Sequence, residues 1–227
     1  MEAALSHFDF LAAGAKATVQ VAAISFTLTI IFAFTVGICR SMKVPGLNSL
    51  AWFYVEIFRG TSLLVQLFWI YYSLPLAGIT ISPMMAGCLA IGLNSGAYGS
   101  EIVRGAIRSV PRSQIEAAKA LSFGRLLTMR KIVLPQALPE MVPPFGNLAI
   151  MVLKDTSLIS MISIADIAFR AQQLRSMTYD SARIYMVCLL MYFAFSLCIL
   201  FATKVLENIT RPAFRRSGLL GLGAGHG

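Results

Sequence analysis

Long apolar runs alternate with short polar segments along this chain of 227 residues. A helix needs about 20 apolar residues to cross the hydrocarbon core of a bilayer. The runs predict five membrane-spanning helices, and because they are continuous rather than alternating with period two, they favour helices over a barrel. We therefore expect an all-α polytopic membrane protein with one transmembrane domain, residues 1–227, and spans at about residues 17–38, 60–79, 83–103, 141–165 and 184–203.

Composition supports a membrane location and argues against nucleic acid as a partner. The chain is 57% hydrophobic and 13% charged, whereas a soluble domain carries roughly 25% charged residues. Its formal net charge is +9, but the basic residues cluster beside the apolar runs instead of forming a stripe. Such clustering is typical of membrane topology, in which positive charge marks the cytoplasmic side.

The basic residues also predict the orientation of the chain. The first 15 residues contain no Lys or Arg, and the run at 17–38 is too long for a cleaved signal peptide. An extracellular N-terminus and a cytoplasmic C-terminus place 13 basic residues inside and 4 outside. Residues 104–140 then form a cytoplasmic loop, and residues 166–183 an outer loop with a short helix. The basic, glycine-rich tail at 211–227 is expected to be disordered.

Small residues dominate the second half of the third predicted span. Gly92 and Gly96 form a GxxxG pair, and Ser95 and Gly99 repeat the same small-residue spacing. Such a face lets two helix backbones approach closely. The polar residues in this region fit either helix packing or a solute pathway, and both readings stay open for Asn94, Tyr98 and Glu101.

Four polar residues interrupt the fourth apolar run: Lys154, Asp155, Thr156 and Ser157. An ionisable group at such a depth costs at least about 2.5 kcal/mol. Neighbours in sequence do not face each other on a regular helix. Either each charge has its own partner, or the helix is broken here, as in many transporters. A packing role and a place in the translocation pathway are both compatible with the sequence.

The cytoplasmic loop contains a basic, water-facing stretch, residues 112–135, which we call the coupling segment. Pro111 is expected to stop the preceding helix. Ser113 and Glu116 have the S-x-x-E spacing of a capping box, which predicts that a new helix starts at Ser113. Residues 122–124 suggest a break before a second helical stretch at 125–133. Docking to another protein and a solvated loop near lipid headgroups are the alternatives.

The coupling segment resembles the EAA loop of ATP-binding-cassette importer permeases. That pattern is EAA, three residues, Gly, nine residues, then I-x-L-P, and the only departure here is Ser122 at the glycine position. If that residue is left-handed, serine costs on the order of 1 kcal/mol, and Gly124 offers another place for the turn. The resemblance implies that the ATPase is contacted through Glu116, Ala117, Ala118, Ser122, Gly124, Ile132, Leu134 and Pro135.

Further motifs are similar to the polar amino acid uptake branch of these permeases. They lie at residues 56–61 with 63–66, at 96–98 with 100–105, and at Pro143, Asn147 and 153–158. The resemblance implies a type I importer architecture with a cytoplasmic coupling helix, in the bacterial inner membrane. It also implies four partners: an ATPase dimer, a second permease subunit that is homologous or identical, an extracytoplasmic solute-binding protein and the lipid bilayer.

The chain contains no GxxxxGK[ST] phosphate-binding loop, so ATP and Mg²⁺ are expected on a separate ATPase. We expect a transport subunit and not an enzyme, with no cofactor and no metal in this chain. The four cysteines lack CxxC spacing, and His7 and His226 lie near opposite ends without ligand partners.

The substrate is the least constrained part of the interpretation. Residues 143–147, Asp166 and residues 169–175 resemble ectoine and hydroxyectoine permeases, which implies a polar amino acid or a compatible solute. Importers of metal chelates, methionine or oligopeptides are alternatives within the class. A secondary transporter or channel is the alternative outside it, although no internal repeat is visible. A membrane enzyme is disfavoured, because no catalytic cluster of His, Cys or paired carboxylates is visible.

Overall fold

The computed structural model describes residues 8–42 and 46–219, with side chains for residues 10–42 and 46–210. No strand occurs in these ranges, which confirms the all-α prediction. The α-helices are α1 (Phe8–Met42), α2 (Leu47–Gly60), α3 (Leu63–Phe68), α4 (Pro83–Ser109), α5 (Arg112–Ala120), α6 (Arg125–Thr128), α7 (Leu134–Asp155), α8 (Ile167–Thr178) and α9 (Ser181–Leu219). Two π-helical segments, Trp69–Ser73 and Met129–Val133, and two 3-10 segments, Leu74–Ala77 and Thr156–Ile162, extend some of them.

Helices α1 and α4 form the centre of the subunit. More than half of the residues of α4 are buried, including the small residues that the sequence singled out. Three of its glycines lie directly against α1. A Cβ atom added to each would come within 2.7 Å of a Cβ on α1: Gly92 against Leu28, Gly96 against Phe32 and Gly99 against Ala33. The small-residue face therefore permits the close approach that its spacing predicts.

A bend precedes the second predicted span. Helices α2 and α3 meet at 107° across residues 61 and 62, and the π and 3-10 segments continue α3 to Ala77. The predicted second span, at about residues 60–79, corresponds to α3 and its extension to Ala77, and α2 is a separate 14-residue helix that precedes it. A turn follows Ala77, with Gly78 at φ 82°.

The predicted cytoplasmic loop is largely helical and shorter than expected. Helix α4 continues to Ser109, and a continuous helical rod runs from Arg125 to Ile162 through α6, the π segment, α7 and the 3-10 segment. Pro135 lies in the first turn of α7, where a missing N–H is tolerated, so it opens the next helix instead of ending one.

Helices α8 and α9 pack on the N-terminal half of α1. Their apolar cluster is formed by Leu11, Ile167, Ala171, Leu174, Ile184 and Cys188. The predicted short helix of the outer loop is α8. Helix α9 continues to Leu219, so the prediction of disorder is wrong for residues 211–219, and residues 220–227 lie outside the described ranges.

Three helical stretches in the described ranges are long and apolar enough to cross a membrane: Phe10–Met42, Arg125–Ile162 and Ser181–Thr210. The bent pair α2–α3 makes a fourth if it counts as one span. Helix α4 is about 40 Å long, but its glycines and polar residues lower its hydropathy below that of the others. The predicted count of five is therefore not reproduced by length and composition alone.

Candidate coupling surface and polar pathway

Helix α5 turns one narrow face inward and leaves the rest to solvent. Ala118 is 1% exposed and Ile115 is half-buried, whereas Glu116 and Ala117 are exposed. Ile115 and Ala118 are three residues apart, about one helical turn, so they lie on the same inward face of α5. Of the three residues in the EAA motif, two therefore point away from the subunit and one holds the helix on it.

A Schellman motif ends α5 at the position where the family pattern has glycine. Ser122 is left-handed, with φ at 60°. The Ser122 N–H donates to the Lys119 carbonyl at 2.9 Å, and the Phe123 N–H donates to the Ala118 carbonyl at 2.9 Å. This pair of bonds defines the motif. Ser122 therefore adopts the glycine conformation that the pattern requires.

Gly124 does not provide the turn, so that suggestion is wrong. It is extended, with φ at −68° and ψ at 159°, and it lies at the N-cap of α6. Its carbonyl accepts from the Thr128 N–H at 2.9 Å and the Thr128 hydroxyl at 3.0 Å. Ser122 therefore provides the left-handed turn after α5, and Gly124 precedes the first residue of α6.

The predicted capping box is also absent. Pro111, not Ser113, is the N-cap residue of α5, and no side chain caps this end. The helix begins at Arg112, because proline fixes φ and already places the chain ahead of a first helical turn. Ser113 and Glu116 then lie one turn apart inside the helix, with both side chains exposed. Glu116 is therefore free to contact a partner.

The I-x-L-P end of the pattern, Ile132 to Pro135, joins the coupling segment to the membrane helices. Ile132 and Leu134 are half-buried, Val133 is buried and Pro135 is exposed. Val133 belongs to an apolar cluster with Val110 and Ala137, against which Ile115 of α5 packs. The coupling helix is thus attached by apolar contacts to the end of α4 and to the start of α7.

Two leucines of the coupling segment were missed in the sequence. Leu121, directly after α5, is 68% exposed, and Leu126 of α6 is 71% exposed. Large exposed apolar side chains in a polar segment are candidates for contact with another protein. We define Glu116, Ala117, Leu121 and Leu126 as the coupling surface. The sequence signal that could have identified Leu121 and Leu126 was their position in the basic, water-facing part of the chain. A leucine within a membrane span contacts lipid, whereas a leucine in a polar segment has no such surroundings.

The four polar residues of the fourth span lie where the helix changes type. Helix α7 ends at Asp155 and continues directly as the 3-10 segment from Thr156, so the helix changes its hydrogen-bonding pattern here without being broken. Lys154 is exposed, and Asp155 is half-buried with no ion pair to Lys154. The Thr156 hydroxyl donates to the Leu153 carbonyl at 2.7 Å, and the Ser157 hydroxyl to the Lys154 carbonyl at 2.8 Å.

Asp155 has an oxygen with an unmet hydrogen-bonding requirement. Within the described part of the chain, its Oδ2 is buried and accepts no hydrogen bond. Such atoms are rare, because an unpaired buried oxygen costs about 1–3 kcal/mol.

One side of α7 is polar and uncovered. Asn147, Met151 and Lys154 are exposed and recur at helical spacing, so they share one face. A charged and an amide side chain at membrane depth do not face lipid without a large cost. This face therefore requires water or a second protein surface beside it.

The other candidate pathway residues make contacts within the subunit. Asn94 is 4% exposed, and its amide donates to the Phe58 carbonyl at 2.8 Å and to Gln66 Oε1 at 3.1 Å. These bonds occupy a carbonyl at the end of α2, beside the bend. The Arg59 guanidinium lies 5.3 Å from the centre of the half-buried Tyr98 ring.

Glu101 is held by two arginines. Its Oε1 accepts from Arg40 of α1, and its Oε2 accepts from Arg104, with the Arg104 Nε at 2.8 Å. We call these three residues the Glu101 triad. Both carboxylate oxygens are occupied in this conformation, so the carboxylate is not available to a solute.

Among the residues that resemble ectoine permeases, Asp166 and Arg170 make contacts inside the subunit, whereas Gln172, Gln173 and Arg175 are exposed. Asp166 is fully buried, accepts from the Phe169 N–H at 2.8 Å at the start of α8, and receives the Tyr192 hydroxyl at 3.3 Å. Burial raises the pKa of Asp166 to about 6, although these hydrogen bonds oppose the shift. Arg170 donates to the Phe10 carbonyl at 3.1 Å and lies 4.7 Å from the Phe10 ring.

Among the described residues there is no group of three His, Cys, Asp or Glu side chains arranged to hold a metal ion.

The chain belongs to the family of binding-protein-dependent transport system inner membrane components, whose model matches residues 26–212. It is therefore a membrane permease subunit, not an enzyme, and the ATPase of such a system is a separate subunit. This excludes the secondary transporter, the channel and the membrane enzyme.

Individual relatives narrow the class. A "Probable amino-acid ABC transporter permease protein" of Sinorhizobium fredii is 47% identical, over 88% of this chain and 87% of the relative. An L-cystine transport system permease protein of Bacillus subtilis is 37% identical, over 77% and 75%. A crystal structure described as an amino acid ABC transporter with histidines has a TM-score of 0.83 and 29% identity, over 90% of this chain and 95% of that one.

Proposed function

We propose that this chain is the permease subunit of an importer for a polar amino acid, driven by an ATPase that docks on the coupling surface. The observation that carries the proposal is the coupling surface itself: Glu116 and Ala117 on α5, Leu121 at its end and Leu126 on α6 are all exposed and lie outside the apolar runs. The apolar contact of Ile115 with the cluster at Val110 and Val133 connects that surface to the membrane helices.

The polar face of α7 supports a second permease subunit and a solute pathway between the two chains. Asn147 and Lys154 are exposed in the single subunit, and only a few helices surround them. A second copy or a homologous chain beside this face would cover the lipid-exposed edges and leave the polar side chains in water. Lys154 and Asp155 then present both charges to a zwitterionic solute beside the half-buried Ser157, whereas Thr156 is fully buried and its hydroxyl is bonded to the Leu153 carbonyl.

The substrate class rests on the relatives. Their names refer to amino acids and to L-cystine, and the solved neighbour is described with histidines. The residues that resemble ectoine permeases, Asp166 and Arg170, make internal contacts, so they give no reason to favour ectoine over an amino acid. Ectoine is therefore a test substrate within the proposal. The proposed orientation has the N-terminus outside and the C-terminus in the cytoplasm, as the basic residues indicate.

Docking is tested by co-purification of the tagged ATPase with this chain. The variant Leu126→Asp, which places a charge in an apolar contact, should lose the ATPase while the permease stays folded in the membrane. Ser113→Asp is the matched control, since Ser113 is exposed on the same segment outside the coupling surface. Unchanged ATPase recovery with both Leu126→Asp and Glu116→Arg would contradict the proposed docking surface.

The pathway is tested in proteoliposomes that contain the whole complex and its binding protein. Asp155→Ala should abolish uptake, because the charge opposite the solute is lost, while the complex still assembles and still hydrolyses ATP. Radiolabelled glutamine, histidine, cystine and ectoine would each be offered. Normal uptake by the Asp155→Ala complex would reject the pathway, and uptake of ectoine alone would reject the amino acid class.

A further inference from the structure

The Glu101 triad joins two helices that are far apart in sequence. Arg40 and Glu101 are separated by 61 positions, whereas Arg104 lies one turn from Glu101 on the same helix. The three side chains are only 14–23% exposed. Charge-assisted hydrogen bonds in partly screened surroundings are stronger than exposed ion pairs. The Arg40–Glu101 pair is therefore a cross-link between α1 and α4, and the Arg104–Glu101 pair orients its acceptor.

The cross-link lies on the part of α4 that leads toward the coupling segment. Two residues separate the end of α4 at Ser109 from α5, so Glu101 precedes the coupling helix by about three helical turns. Close packing reinforces this position. A Cβ atom on Gly37 of α1 would lie 2.7 Å from the Val103 Cβ and 2.8 Å from the Ser100 carbonyl oxygen. The cytoplasmic end of α1 thus rests on the part of α4 that leads into α5.

Apolar packing and the ionic pair provide different restraints. The cluster that includes Val103, Ile107 and Val110 holds the helices together through apolar contacts, which are non-directional. A carboxylate whose two oxygens bind two guanidinium groups fixes both register and rotation. A movement of α5 then displaces the ends of α4 and α1 together.

We infer that Glu101 is a positioning residue for energy coupling, which makes the cytoplasmic end of α1 move with the coupling helix through its pair with Arg40. This inference rests on the proposed importer function. It assigns Glu101 a role outside the solute pathway, where the sequence had left a pathway role open. Arg40 is the partner through which Glu101 acts on α1, whereas in the sequence its charge indicated only the membrane topology.

The test compares two glutamine variants in the reconstituted complex. Arg40→Gln removes the link between helices, and Arg104→Gln removes only the pair within α4. Arg40→Gln should lower the solute imported per ATP hydrolysed by at least about fivefold, the lower end of ordinary coupling factors, with an unchanged KM for uptake. Arg104→Gln should have a smaller effect, and Arg40→Lys should restore most of the ratio.

Two outcomes would overturn the inference. A raised KM with an unchanged ratio would place Glu101 on the solute pathway. Parallel loss of assembled complex, ATP hydrolysis and uptake, with no rescue by Arg40→Lys, would leave Glu101 a purely structural role.

A second measurement does not depend on import. Spin labels on Ser41→Cys and Ser109→Cys, in a chain without its native cysteines, report the distance between the ends of α1 and α4. The distribution of distances between the two labels should be narrow and should not change when ATP binds. In the Arg40→Gln variant the distribution should broaden. Equal distributions in both proteins would refute the cross-link. If the unmodified complex imports no solute at all, the proposed function fails while this measurement still tests the triad.

Discussion

The α1–α4 interface and the coupling segment are built on opposite principles. In the interface, glycines on α4 meet Cβ atoms of α1, and no side chain can be added without moving a backbone. In the coupling segment, the backbone is fixed by local hydrogen bonds at Ser122 and Gly124, while most side chains remain exposed. In the first region, the side chains are used for packing within the subunit. In the second, backbone hydrogen bonds set the shape, and the side chains are left exposed, as the proposed docking of an ATPase requires.

The largest expected effect is overpacking of the interface. A Cβ atom at Gly99 would lie 2.7 Å from the Ala33 Cβ and 3.3 Å from the Leu148 Cδ2. The Leu148 side chain can move aside, but the Cβ atoms of α1 cannot yield without a backbone shift, so Gly99→Ala and Gly96→Ala should each lower stability by about 1–3 kcal/mol, and their combination should prevent assembly. Thermal unfolding of the complex in detergent measures the loss.

Gly105→Ala is the matched control for these variants, because it lies in the same helix and an added Cβ meets nothing within 4 Å. It should raise stability by roughly 0.5–1 kcal/mol, since alanine is the better helix former. If Gly99→Ala and Gly105→Ala lowered stability equally, close packing at Gly99 would not be the cause of the loss.

The next effect concerns a buried charge on the packed side. The pKa of Asp166 is raised to about 6, so its protonated form is favoured in the folded state. Its contribution is complete at low pH and is lost as the pH rises through about 6, on the order of 3 kcal/mol in total. Asp166→Asn keeps an N-cap acceptor without the charge. It should abolish this component of the pH dependence, which lies between about pH 4, the ordinary pKa of an aspartate, and about pH 6.

Asp180→Asn is the control for Asp166→Asn. Asp180 also caps a helix, accepting from the Arg183 N–H at 3.3 Å, but its side chain is 32% exposed. Denaturation midpoints at several pH values should be nearly parallel for this variant and the unmodified chain. A pH dependence that survives in Asp166→Asn would show that another group is responsible.

A smaller effect is expected at the turn of the coupling segment. Ser122 pays a conformational cost at φ 60° that glycine avoids. Ser122→Gly should stabilise the folded subunit by about 1 kcal/mol. Gly124→Ala is the control, since Gly124 has a negative φ and open space around it, and it should be close to neutral. Chemical denaturation distinguishes the two, and a destabilising Ser122→Gly would contradict the assigned conformation.

The smallest effect tests the helix start. Because Ser113 makes no capping bond, Ser113→Ala should change stability by no more than about 0.5 kcal/mol. A true N-cap serine would lose about 1 kcal/mol. Calorimetry of the two proteins separates these values, and a loss of 1 kcal/mol or more would restore the capping box.

Local patterns in the sequence predicted much of the fold. The spacing of Gly92, Gly96 and Gly99 identified a close helix contact, because one residue type at one helical period is sufficient for it. The left-handed position at Ser122 followed from the family pattern, since the backbone there is set by a few neighbouring hydrogen bonds. The apolar runs likewise identified α1, α7 and α9, since length and hydropathy are properties of a single segment.

The remaining features depend on distant partners or on competing local rules. The triad could not be foreseen, because Arg40 and Glu101 are 61 positions apart. The bend between α2 and α3 was missed because both arms are apolar or amphipathic, and only the short Thr61–Ser62 link separates them. The capping box failed because Pro111 already occupies the cap, which shifts the helix start by one residue. The exposure of Leu121 and Leu126 required the packing of the whole segment.

Three interior prolines make α7 mechanically different from α1. Pro139, Pro143 and Pro144 have no N–H, so each removes one hydrogen bond from the helix, whereas the 35 residues of α1 contain no proline. Resistance to bending falls where such bonds are absent. The rod that begins at the coupling segment is therefore more easily bent at residues 139–144 than in the parts that lack proline. In the proposed importer, a displacement of the coupling segment would first bend this proline-containing part of the rod before it moves Lys154 and Asp155.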